Sequence, residues 1–487
     1  MMILKDILYK TAIESVNGTT DIQISKIEFD SREVQSGDAF VAIRGTQSDG
    51  HNYIAKAIES GAVAIVCESL PDALQKGITY IQVENSATAL AHMASNYYGT
   101  PSQSIKLVGV TGTNGKTTIA SLLYQLFKNA GYKTGLLSTV KVMVGDTEYK
   151  ATHTTPDSLT INKHLSEMAA EGVEYCFMEV SSHGIHQSRT EGLHFAGGIF
   201  TNLSHDHLDY HKTFAEYRDV KKRFFDQLPK TAFALVNVDD KNGLVMMQNT
   251  KAKKLTYALK TYADYKAQIL ENQLSGLLLK IDGQEVWVKL IGTFNAYNLL
   301  AIYATAVNLG LQEQEVLTLM SELESVSGRF QYIISDTNVT AIVDYAHTPD
   351  ALENVLKTIE NIRTRNEQLI TVVGCGGDRD TTKRPVMANI ASSFSDKAIF
   401  TSDNPRTENP EAIIEDMEKG VEPQNYKKTI AITDRKQAIK TACQLAEPND
   451  IILIAGKGHE TYQEINGVRN HFDDMETVKE LLAQLNK

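Results

Sequence analysis

Apolar stretches of strand length alternate with stretches of helical periodicity along most of this chain. Residues 105–110 form an apolar, strand-like run, and after a glycine-rich loop residues 119–129 have the pattern of a helix. A further helix is predicted over residues 87–97. This alternation is typical of α/β domains with mainly parallel sheets, so the predicted fold class is α/β.

Three strand-like runs in the last third of the chain each end in a polar loop that carries glycine or proline. These runs begin at Ile342, Ile370 and Ile451. In open α/β sheets, ligands bind beyond the carboxyl ends of the strands. The three loops are therefore candidate walls of a binding site.

Two turn-rich segments divide the chain. Residues 98–104 (Tyr-Gly-Thr-Pro-Ser-Gln-Ser) precede the strand of residues 105–110, and residues 325–330 (Ser-Val-Ser-Gly-Arg-Phe) precede a new set of strands. A chain of 487 residues is long enough for about three domains. The predicted domains are residues 1–103, 104–331 and 332–487.

Composition narrows the function classes. The net charge of −12 is spread without a basic tract, which counts against nucleic acid or an anionic membrane as a partner. No apolar run reaches the roughly 18 residues that cross a bilayer, and the first residues lack the layout of a signal peptide. We therefore expect a cytoplasmic protein without stable membrane insertion. The four cysteines are widely separated, so free buried thiols are expected.

The strongest chemical signal is the loop between the strand at 105–110 and the following helix. Its sequence resembles a phosphate-binding loop, although Val110 stands where the first glycine of the usual pattern belongs. Backbone N–H groups and the helix N-terminus attract anions, Lys116 can reach terminal phosphates, and Thr117 can ligate Mg²⁺. An ordinary strand-to-helix turn is the alternative. The predicted nucleotide-binding residues here are Gly112, Thr113, Asn114, Gly115, Lys116, Thr117 and Thr118.

Two later segments offer metal ligands. Glu179 ends a predicted strand, and His207 lies in a turn rich in histidine and aspartate. Each has an alternative role, since a strand-terminal glutamate is often a capping or surface residue and a histidine-rich turn can bind zinc. Further zinc ligands at the usual spacing are missing, and a phosphate loop requires hard oxygen ligands, so the pattern favours magnesium.

The predicted helix of residues 214–228 places a lysine on its apolar side. The inward stripe consists of Tyr217, Val220, Phe224 and Leu228, and Lys221 falls on that side whereas Lys222 points elsewhere. An inward lysine is costly unless it is paired or modified. The pattern alone leaves open that Lys221 extends along the helix edge to solvent.

The loop Asp403-Asn404-Pro405-Arg406 suits a zwitterionic ligand. Pro405 keeps Asn404 out of a helix, and Asp403 and Arg406 can then bind an ammonium and a carboxylate. A plain turn is the alternative. The glycine loop of residues 374–379 is a weak dinucleotide signal, because Arg379 replaces the third glycine, and it is better interpreted as a wall of the same pocket.

Together these motifs resemble the Mur ligase family over essentially the whole chain. The resemblance rests on Thr-Gly-Thr-Asn-Gly-Lys-Thr-Thr, Asp-His-Leu-Asp, Asp-Tyr-Ala-His-Thr-Pro and Asp-Asn-Pro-Arg, in that order. It implies a three-domain architecture. An N-terminal domain that binds a UDP-muramyl substrate precedes a central, P-loop ATPase-like parallel-sheet domain that binds ATP. A C-terminal Rossmann-like domain binds an amino acid.

The resemblance also implies roles for individual residues. Asn295 and Asn298 resemble the residues that bind adenine, Arg329 one that contacts the ATP phosphates, and Asp344 one that contacts the nucleotide from the third domain. The implied catalytic residues are Lys116, Glu179, His207 and Lys221. The implied metal ligands are Thr117, Glu179, His207 and Lys221, the last as a carbamate formed with CO₂.

Two sets of substrate-binding residues follow from the same resemblance. His153 stands where many relatives carry asparagine. The residues implied to bind the UDP-muramyl dipeptide are Ser31, His153, Thr154, Thr155, Ser181, Gln187 and Arg189. Those implied to bind diaminopimelate are Arg384, Asp403, Asn404, Pro405, Arg406, Gly456 and Glu460.

The implied activity is ATP-dependent ligation of meso-diaminopimelate to the D-Glu γ-carboxylate of UDP-MurNAc-L-Ala-D-Glu through an acyl phosphate, in peptidoglycan precursor synthesis. ATP and Mg²⁺ are the implied cofactors, and a monomer is expected. Two enzymatic alternatives are a muramyl ligase that adds L-lysine and a folylpolyglutamate synthetase, which needs neither the N-terminal domain nor Asp-Asn-Pro-Arg. A non-enzymatic, nucleotide-dependent binding module is the third, although Lys116, Glu179 and His207 are all retained.

Overall fold

Three main β-sheets follow one another along the chain, each flanked by helices. The computed structural model describes residues 1–45, 48–204 and 210–487. The alternation of strands and helices confirms the predicted α/β class, whereas the domain boundaries at 103/104 and 331/332 stay a prediction. Among the described residues, no helix is both long and apolar enough to cross a membrane.

The N-terminal sheet has the strand order β2-β7-β6-β5-β4, and only β2 runs antiparallel to its neighbour. Strands β1 and β3 pair separately. The elements of this part are β1 (Met2–Ile3), α1 (Leu4–Ile7), β2 (Ile13–Asn17), β3 (Gln23–Ile24), β4 (Ile27–Glu28), β5 (Ala39–Val41), a 3₁₀ helix (Gly50–Tyr53), α2 (Ile54–Glu59), β6 (Ala64–Cys67), β7 (Thr79–Val83), α3 (Ser86–Tyr97) and a second 3₁₀ helix (Pro101–Gln103).

The central sheet has eleven strands in the described residues, in the order β11-β10-β9-β12-β8-β13-β14-β15-β16-β17-β18. The strands from β9 to β16 in that order run parallel, and antiparallel hairpins extend both edges. Its elements are β8 (Lys106–Thr111), α4 (Lys116–Asn129), β9 (Thr134–Leu137), β10 (Lys141–Val144), β11 (Thr147–Lys150), α5 (Ser158–Ala170), β12 (Tyr175–Glu179), α6 (Ser182–His186), β13 (Phe195–Phe200), α7 (Phe214–Asp226), β14 (Phe233–Asn237), α8 (Gly243–Met246), β15 (Lys253–Ala258), β16 (Tyr265–Gln273), β17 (Gly276–Ile281), β18 (Gln284–Val288), α9 (Thr293–Asn308) and α10 (Glu313–Ser321).

The C-terminal sheet has the order β19-β20-β24-β21-β22-β23, and only β19 is antiparallel. A separate hairpin, β25 with β26, follows β24. The elements are β19 (Gln331–Ile334), β20 (Thr340–Asp344), α11 (Pro349–Ile362), β21 (Leu369–Val373), α12 (Lys383–Phe394), β22 (Lys397–Phe400), α13 (Pro410–Glu418), a 3₁₀ helix (Pro423–Lys428), β23 (Thr429–Ala431), α14 (Arg435–Leu445), β24 (Ile451–Ala455), β25 (Tyr462–Ile465), β26 (Val468–His471) and α15 (Asp474–Gln484).

Both larger sheets are covered on two faces, as their continuous apolar strands require. In the central domain, one core contains residues of α4, α9 and α10, and the other contains residues of α5 and α7. In the C-terminal domain, α11, α12 and α13 lie on one side and α14 and α15 on the other. The four cysteines are buried and free, as predicted. Parallel strands bring their carboxyl-end loops to one edge, and the phosphate loop and Glu179 lie at that edge of the central sheet.

Candidate active site

The phosphate loop connects β8 to α4 and requires glycine at two positions. Gly112 and Gly115 have φ angles of +148° and +89°. A Cβ atom on Gly112 would lie 1.9 Å from Oγ1 of Thr201, and one on Gly115 would lie 2.6 Å from Oδ1 of Asn298. Any side chain at either position would therefore be strained and would collide with its neighbour. The two glycines explain why the loop can lie directly against the neighbouring strand and helix.

Two lysine side chains converge on one carbonyl group of this loop. Nζ of Lys116 donates to the carbonyl oxygens of Gly112 at 3.0 Å and Thr113 at 2.7 Å. Nζ of Lys221 donates to the same Gly112 oxygen at 2.9 Å. Lys221 is only 1% exposed and its Nζ lies 4.8 Å from the ring centroid of Tyr217. The predicted inward position of Lys221 is confirmed, and the solvent-directed alternative is excluded.

Glu179 lies at the carboxyl end of β12, next to β8. It is completely buried, so it is not a surface residue. Its Oε2 accepts a hydrogen bond from Oγ1 of Thr117 at 2.9 Å, and its Oε1 accepts one from the N–H of Thr139 at 2.7 Å. Nη2 of Arg329 donates to the Thr117 hydroxyl at 3.3 Å. A carboxylate, a hydroxyl and a cation thus lie together at the start of α4.

His207, the remaining predicted metal ligand, lies outside the described residues, as do all of residues 205–209. Its role stays a prediction.

The two asparagines predicted to bind adenine lie at the start of α9. The N-cap of this helix is Gly292, so neither asparagine caps it. Nδ2 of Asn298 donates to Oδ1 of Asn295 at 3.0 Å, and Nδ2 of Asn295 donates to the Ile291 carbonyl at 2.8 Å. Asn298 lines a cavity of about 760 Å³, and Asn295 supports it from behind.

Arg329 and Asp344 face the same cavity from the junction between the central and C-terminal domains. The guanidinium of Arg329 lies 4.5 Å from the ring centroid of Tyr345. Asp344 ends β20, and its Oδ2 accepts the N–H of Phe330 at 2.7 Å. Burial raises the pKa of Asp344 to about 6, and the charge of Arg329 opposes that rise.

A second cavity of about 1820 Å³ adjoins the first. The residues common to both linings are Lys116, Thr139, Thr154 and Tyr345. Lys116 is therefore the charged group that faces both spaces. A nucleotide phosphate in the smaller cavity and an acceptor in the larger one would meet at its ammonium.

Five of the seven residues predicted to bind the UDP-muramyl dipeptide line this larger cavity: His153, Thr154, Thr155, Ser181 and Arg189. Arg189 is fixed by the Thr155 carbonyl, which accepts from its Nη1 at 2.5 Å, and by Oε1 of Gln187, which accepts from its Nε and Nη2. Burial lowers the pKa of Arg189. Gln187 thus supports Arg189 without lining the cavity, and Ser31, buried in the N-terminal domain, lines neither cavity.

The loop of residues 403–406 and the loop of residues 456–460 are joined by side chains. Nδ2 of Asn404 donates to Oε2 of Glu460 at 2.7 Å. Nζ of Lys457, which is fully buried, donates to Oδ1 of Asn404 at 3.1 Å and to Oε2 of Glu460 at 3.3 Å. Burial and the nearby Asp403 raise the pKa of Glu460. A Cβ atom on Gly456 would lie 2.6 Å from Oδ2 of Asp403, so the Gly456 backbone lies directly against the Asp403 side chain.

Arg406 has a left-handed backbone, with φ of +52°, which is uncommon for a residue other than glycine. Its Nη1 donates to the carbonyl of Gly377 at 2.7 Å, and the Gly377 N–H donates to the Asn404 carbonyl at 2.9 Å. The glycine loop of residues 374–379 therefore packs against the loop of residues 403–406. This contact fits a pocket wall better than a dinucleotide-binding turn.

Of the seven residues predicted to bind diaminopimelate, Glu460 alone lines one of the two cavities, and Arg384 is instead held in ion pairs. Its side chain is 2% exposed, and its guanidinium pairs with Glu408 at 2.9 Å and Asp416 at 3.0 Å. Arg379, five residues earlier, lines the larger cavity together with Glu460. The sequence pattern predicts Arg379 in the pocket wall but no binding role for Arg379 or Lys457. The glycines that flank Lys457 in Gly-Lys-Gly-His-Glu were the available signal.

Comparison with known proteins bears on this arrangement. Residues 23–98 match the family described as Mur ligase family, catalytic domain, residues 110–306 match the Mur ligase middle domain, and residues 328–458 match the Mur ligase, glutamate ligase domain. The UDP-N-acetylmuramoyl-L-alanyl-D-glutamate–2,6-diaminopimelate ligase of Cytophaga hutchinsonii is 56% identical over 487 residues, covering 100% of both chains.

Solved structures give the same result at the level of the fold. A structure of a UDP-N-acetylmuramoyl-L-alanyl-D-glutamate–2,6-diaminopimelate ligase superposes with a TM-score of 0.71 at 33% identity, covering 100% of this chain and 99% of that one. Folylpolyglutamate synthase from Thermotoga maritima has a TM-score of 0.61 at 15% identity and covers 76% of this chain and 90% of its own, a likeness of fold alone. The matched domains and the full-length identity show that this chain belongs to the Mur ligase family.

Proposed function

We propose that this chain is an ATP-dependent ligase that joins meso-2,6-diaminopimelate to the D-Glu γ-carboxylate of UDP-MurNAc-L-Ala-D-Glu, a step in the synthesis of peptidoglycan precursors. The observation that carries the proposal is the position of Lys116 between two adjoining cavities. One cavity is bounded by the phosphate loop and Asn298, and the other by Arg189 and Glu460. The full-length identity to the Cytophaga hutchinsonii ligase supports the choice of substrates.

The first step is phosphoryl transfer. The γ-carboxylate of the D-Glu residue attacks the γ-phosphate of ATP, which forms an acyl phosphate and releases ADP. The ammonium of Lys116 and the guanidinium of Arg329 stabilise the negative charge on the transferring group, as fixed cations do in other phosphoryl transfers. Both groups lie near the start of α4, where the helix N-terminus adds positive potential.

The second step is acyl transfer. The free amine of diaminopimelate attacks the acyl carbonyl and forms the C–N bond. As the tetrahedral intermediate collapses, the bond between the carbonyl carbon and the phosphate oxygen breaks, inorganic phosphate leaves with the electron pair, and the nitrogen loses a proton. An amide bond to the D-Glu side chain results. The same cations that offset the charge of the phosphoryl group can stabilise the oxyanion of the intermediate.

The residues around Thr117 fit a magnesium ion. Mg²⁺ is usually held by one or two carboxylates together with substrate phosphates and water, and it prefers hard oxygen ligands. The Thr117 hydroxyl and the Glu179 carboxylate lie 2.9 Å apart beside the phosphate loop. They would hold the ion with His207 as a further candidate. Bound there, Mg²⁺ would neutralise phosphate charge during transfer.

Lys221 fits a carbamate. Carbamylation joins the neutral amine to CO₂, forming an N–C bond and releasing a proton, and it converts a cation into an anion that keeps one N–H. That N–H can still donate to the Gly112 carbonyl that the amine contacts. A carbamate would also remove the repulsion between the ammonium groups of Lys116 and Lys221, which share this acceptor. The resulting anion would support a second magnesium ion.

The loops of residues 403–406 and 456–460 are the proposed site for the far end of diaminopimelate. Its ammonium would bind the carboxylates of Asp403 and Glu460, and its carboxylate would bind the guanidinium of Arg406. Arg379 also lines this wall and supplies a second cation for an anionic substrate. The proposal further includes a cytoplasmic location, a monomeric state and domains at 1–103, 104–331 and 332–487.

The direct test measures ADP release in reactions that omit one component at a time. ATP turnover should require both UDP-MurNAc-L-Ala-D-Glu and meso-diaminopimelate, because the acyl phosphate forms only on the acceptor and is consumed only by the amine. Mass spectrometry of the product should show the tripeptide nucleotide. Vigorous ATP hydrolysis by the protein alone would refute the ligase assignment.

A further inference from the structure

Arg435 is the first residue of α14, and its side chain is among the largest that are fully buried. A cation in the first turn of a helix is unfavourable, because the helix N-terminus carries a partial positive charge. A buried charge also has a large desolvation cost unless it is paired and hydrogen-bonded. The contacts of this guanidinium therefore require an explanation beyond helix formation.

The guanidinium of Arg435 links a carboxylate to the ends of two strands. Its Nε and Nη2 donate to Oδ1 and Oδ2 of Asp474 at 2.8 and 2.7 Å, and both side chains are 0% exposed. Asp474 begins α15, where the helix N-terminus stabilises a carboxylate. Nη2 also donates to the Ala455 carbonyl at 3.1 Å, and Nη1 donates to the Ser402 carbonyl at 3.5 Å.

Those two carbonyls belong to the residues that directly precede the loops of the proposed amino-acid site. Ser402 precedes Asp403, and Ala455, the last residue of β24, precedes Gly456. Strands β22 and β24 are not neighbours, since β21 lies between them. No direct backbone ladder therefore joins β22 to β24, and the sheet links them only through β21, whereas side chains of Asn404, Lys457 and Glu460 join the loops beyond the strand ends. Arg435 spans the distance between the two loops by binding both backbones at once.

We propose that Arg435, held by Asp474, is a positioning residue that sets the spacing between the loop of residues 403–406 and the loop of residues 456–460. It thereby controls affinity for the far end of the amino-acid substrate, which neither Arg435 nor Asp474 contacts. The inference rests on the proposed function, because it takes these loops as the amino-acid site. A planar guanidinium can bind a carboxylate with two nitrogens and still donate to backbone carbonyls, which an ammonium on a flexible stem cannot reproduce.

The test replaces the buried pair by apolar residues in the double variant Arg435→Met/Asp474→Leu. Replacing a buried ion pair by apolar side chains of similar volume is often neutral or stabilising, so a purely structural role predicts normal folding and normal kinetics. The positioning role predicts an unchanged or higher Tm with a KM for meso-diaminopimelate raised about tenfold or more, since small misplacements of a binding site have effects of that order. The KM values for ATP and for the UDP-muramyl dipeptide should stay within about twofold of wild type.

The single variants Arg435→Lys and Arg363→Lys distinguish a positioning role from a structural role without relying on the double variant. Arg363 is a matched control in the same domain. It is also largely buried and donates to a carboxylate, Asp396, and to a carbonyl, that of Glu367. Asp396 in turn accepts the N–H of Leu369 at the opposite end of β21 from the site. Arg435→Lys should raise the KM for meso-diaminopimelate selectively, and Arg363→Lys should not.

Two outcomes would overturn the inference. Equal changes in all three KM values would indicate general destabilisation, and unchanged kinetics in Arg435→Lys and the double variant would show that the pair has only a structural role. In both cases the wild-type enzyme stays active and the proposed function stands. A wild-type protein that turns over no amino acid would instead overturn the proposed function and, with it, the assignment of these loops.

Discussion

At position 221, a lysine side chain lies almost completely buried against Tyr217 and the phosphate loop. An ammonium in this place has a desolvation cost, and it shares the Gly112 carbonyl with the ammonium of Lys116. The proposed carbamate would relieve the repulsion and add an oxygen ligand for magnesium. The chemistry of this one residue would thus change the net charge beside the transferring phosphate.

Lys221→Ala is expected to lower kcat by about 10²-fold or more, because it removes an electrostatic contribution within a water-excluded site. Added short carboxylates such as formate should restore part of the activity by occupying the space of the carbamate. The matched control is Lys222→Ala, since Lys222 lies on the same helix but pairs with Asp226, one turn further along. A ¹³C NMR spectrum of active enzyme in ¹³CO₂ that lacks a carbamate signal would contradict the assignment.

Arg406 is the residue on which the preference for diaminopimelate is expected to depend. Arg406→Ala should lower kcat/KM for meso-diaminopimelate by about 10²-fold or more, because a bidentate, charge-assisted contact with the far carboxylate is lost. Activity with L-lysine should change little, since lysine has no such carboxylate. Arg365→Ala is the control, because Arg365 is exposed in the same domain and shares the left-handed backbone, with φ of +69°. Equal losses with both amino acids would contradict this role.

At the scale of elements, the junction between the central and C-terminal domains is a crossing of two glycines. Gly328 has φ of +64°, and a Cβ atom on it would lie 2.1 Å from the backbone nitrogen of His459 and 2.3 Å from the carbonyl carbon of Gly458, the second glycine. Its carbonyl accepts the N–H of Tyr345 at 2.9 Å. The Tyr345 ring lies between Arg329 and the His459 imidazole, whose centroid is 5.0 Å away. The junction thus connects the phosphate side of the site to the loop of residues 456–460.

Gly328→Ala should therefore push the segment around residue 328 away from the loop of residues 456–460. We expect kcat to fall by about 10²-fold, because the proposed amino-acid site would be displaced from the phosphate site. Gly310→Ala is the matched control. Gly310 also has a positive φ, +110°, but no atom lies within 4 Å of an added Cβ, so only local backbone strain is expected. Steady-state kinetics and Tm of both variants provide the measurement. Equal activity in the two variants would show that the close crossing has no part in catalysis.

Local signals predicted most of the phosphate site, and tertiary pairing accounts for what they missed. The glycines and the preceding apolar strand correctly predict the position of the phosphate loop. The helix α4 begins at Lys116 and not at residue 119, because its first turn faces the phosphate site and therefore lacks the apolar pattern. Arg384 looked like a ligand-binding residue, but Glu408 and Asp416 neutralise it, and their positions depend on the fold. The contact between Asn404 and Glu460, 56 residues apart, is likewise invisible in the sequence.

At the scale of the whole molecule, the proposed ligation requires contributions from all three domains. The central domain supplies the phosphate loop and the acceptor cavity, and the C-terminal domain supplies the wall that contains Arg379 and Glu460. Among the described residues, those of the N-terminal domain line neither cavity, and its predicted ligand Ser31 lies elsewhere. Its proposed task is to hold the nucleotide end of the long acceptor substrate while the dipeptide end reaches Lys116.

The central claim is that the far carboxylate of meso-diaminopimelate selects this substrate over L-lysine. The decisive measurement compares kcat/KM for the two amino acids side by side, with the wild-type enzyme, ATP and UDP-MurNAc-L-Ala-D-Glu. A site built to bind a polar group can reject an analogue that lacks it by roughly 10⁴-fold, so meso-diaminopimelate should be preferred on that scale. Equal use of L-lysine would contradict the account and favour the lysine-adding alternative.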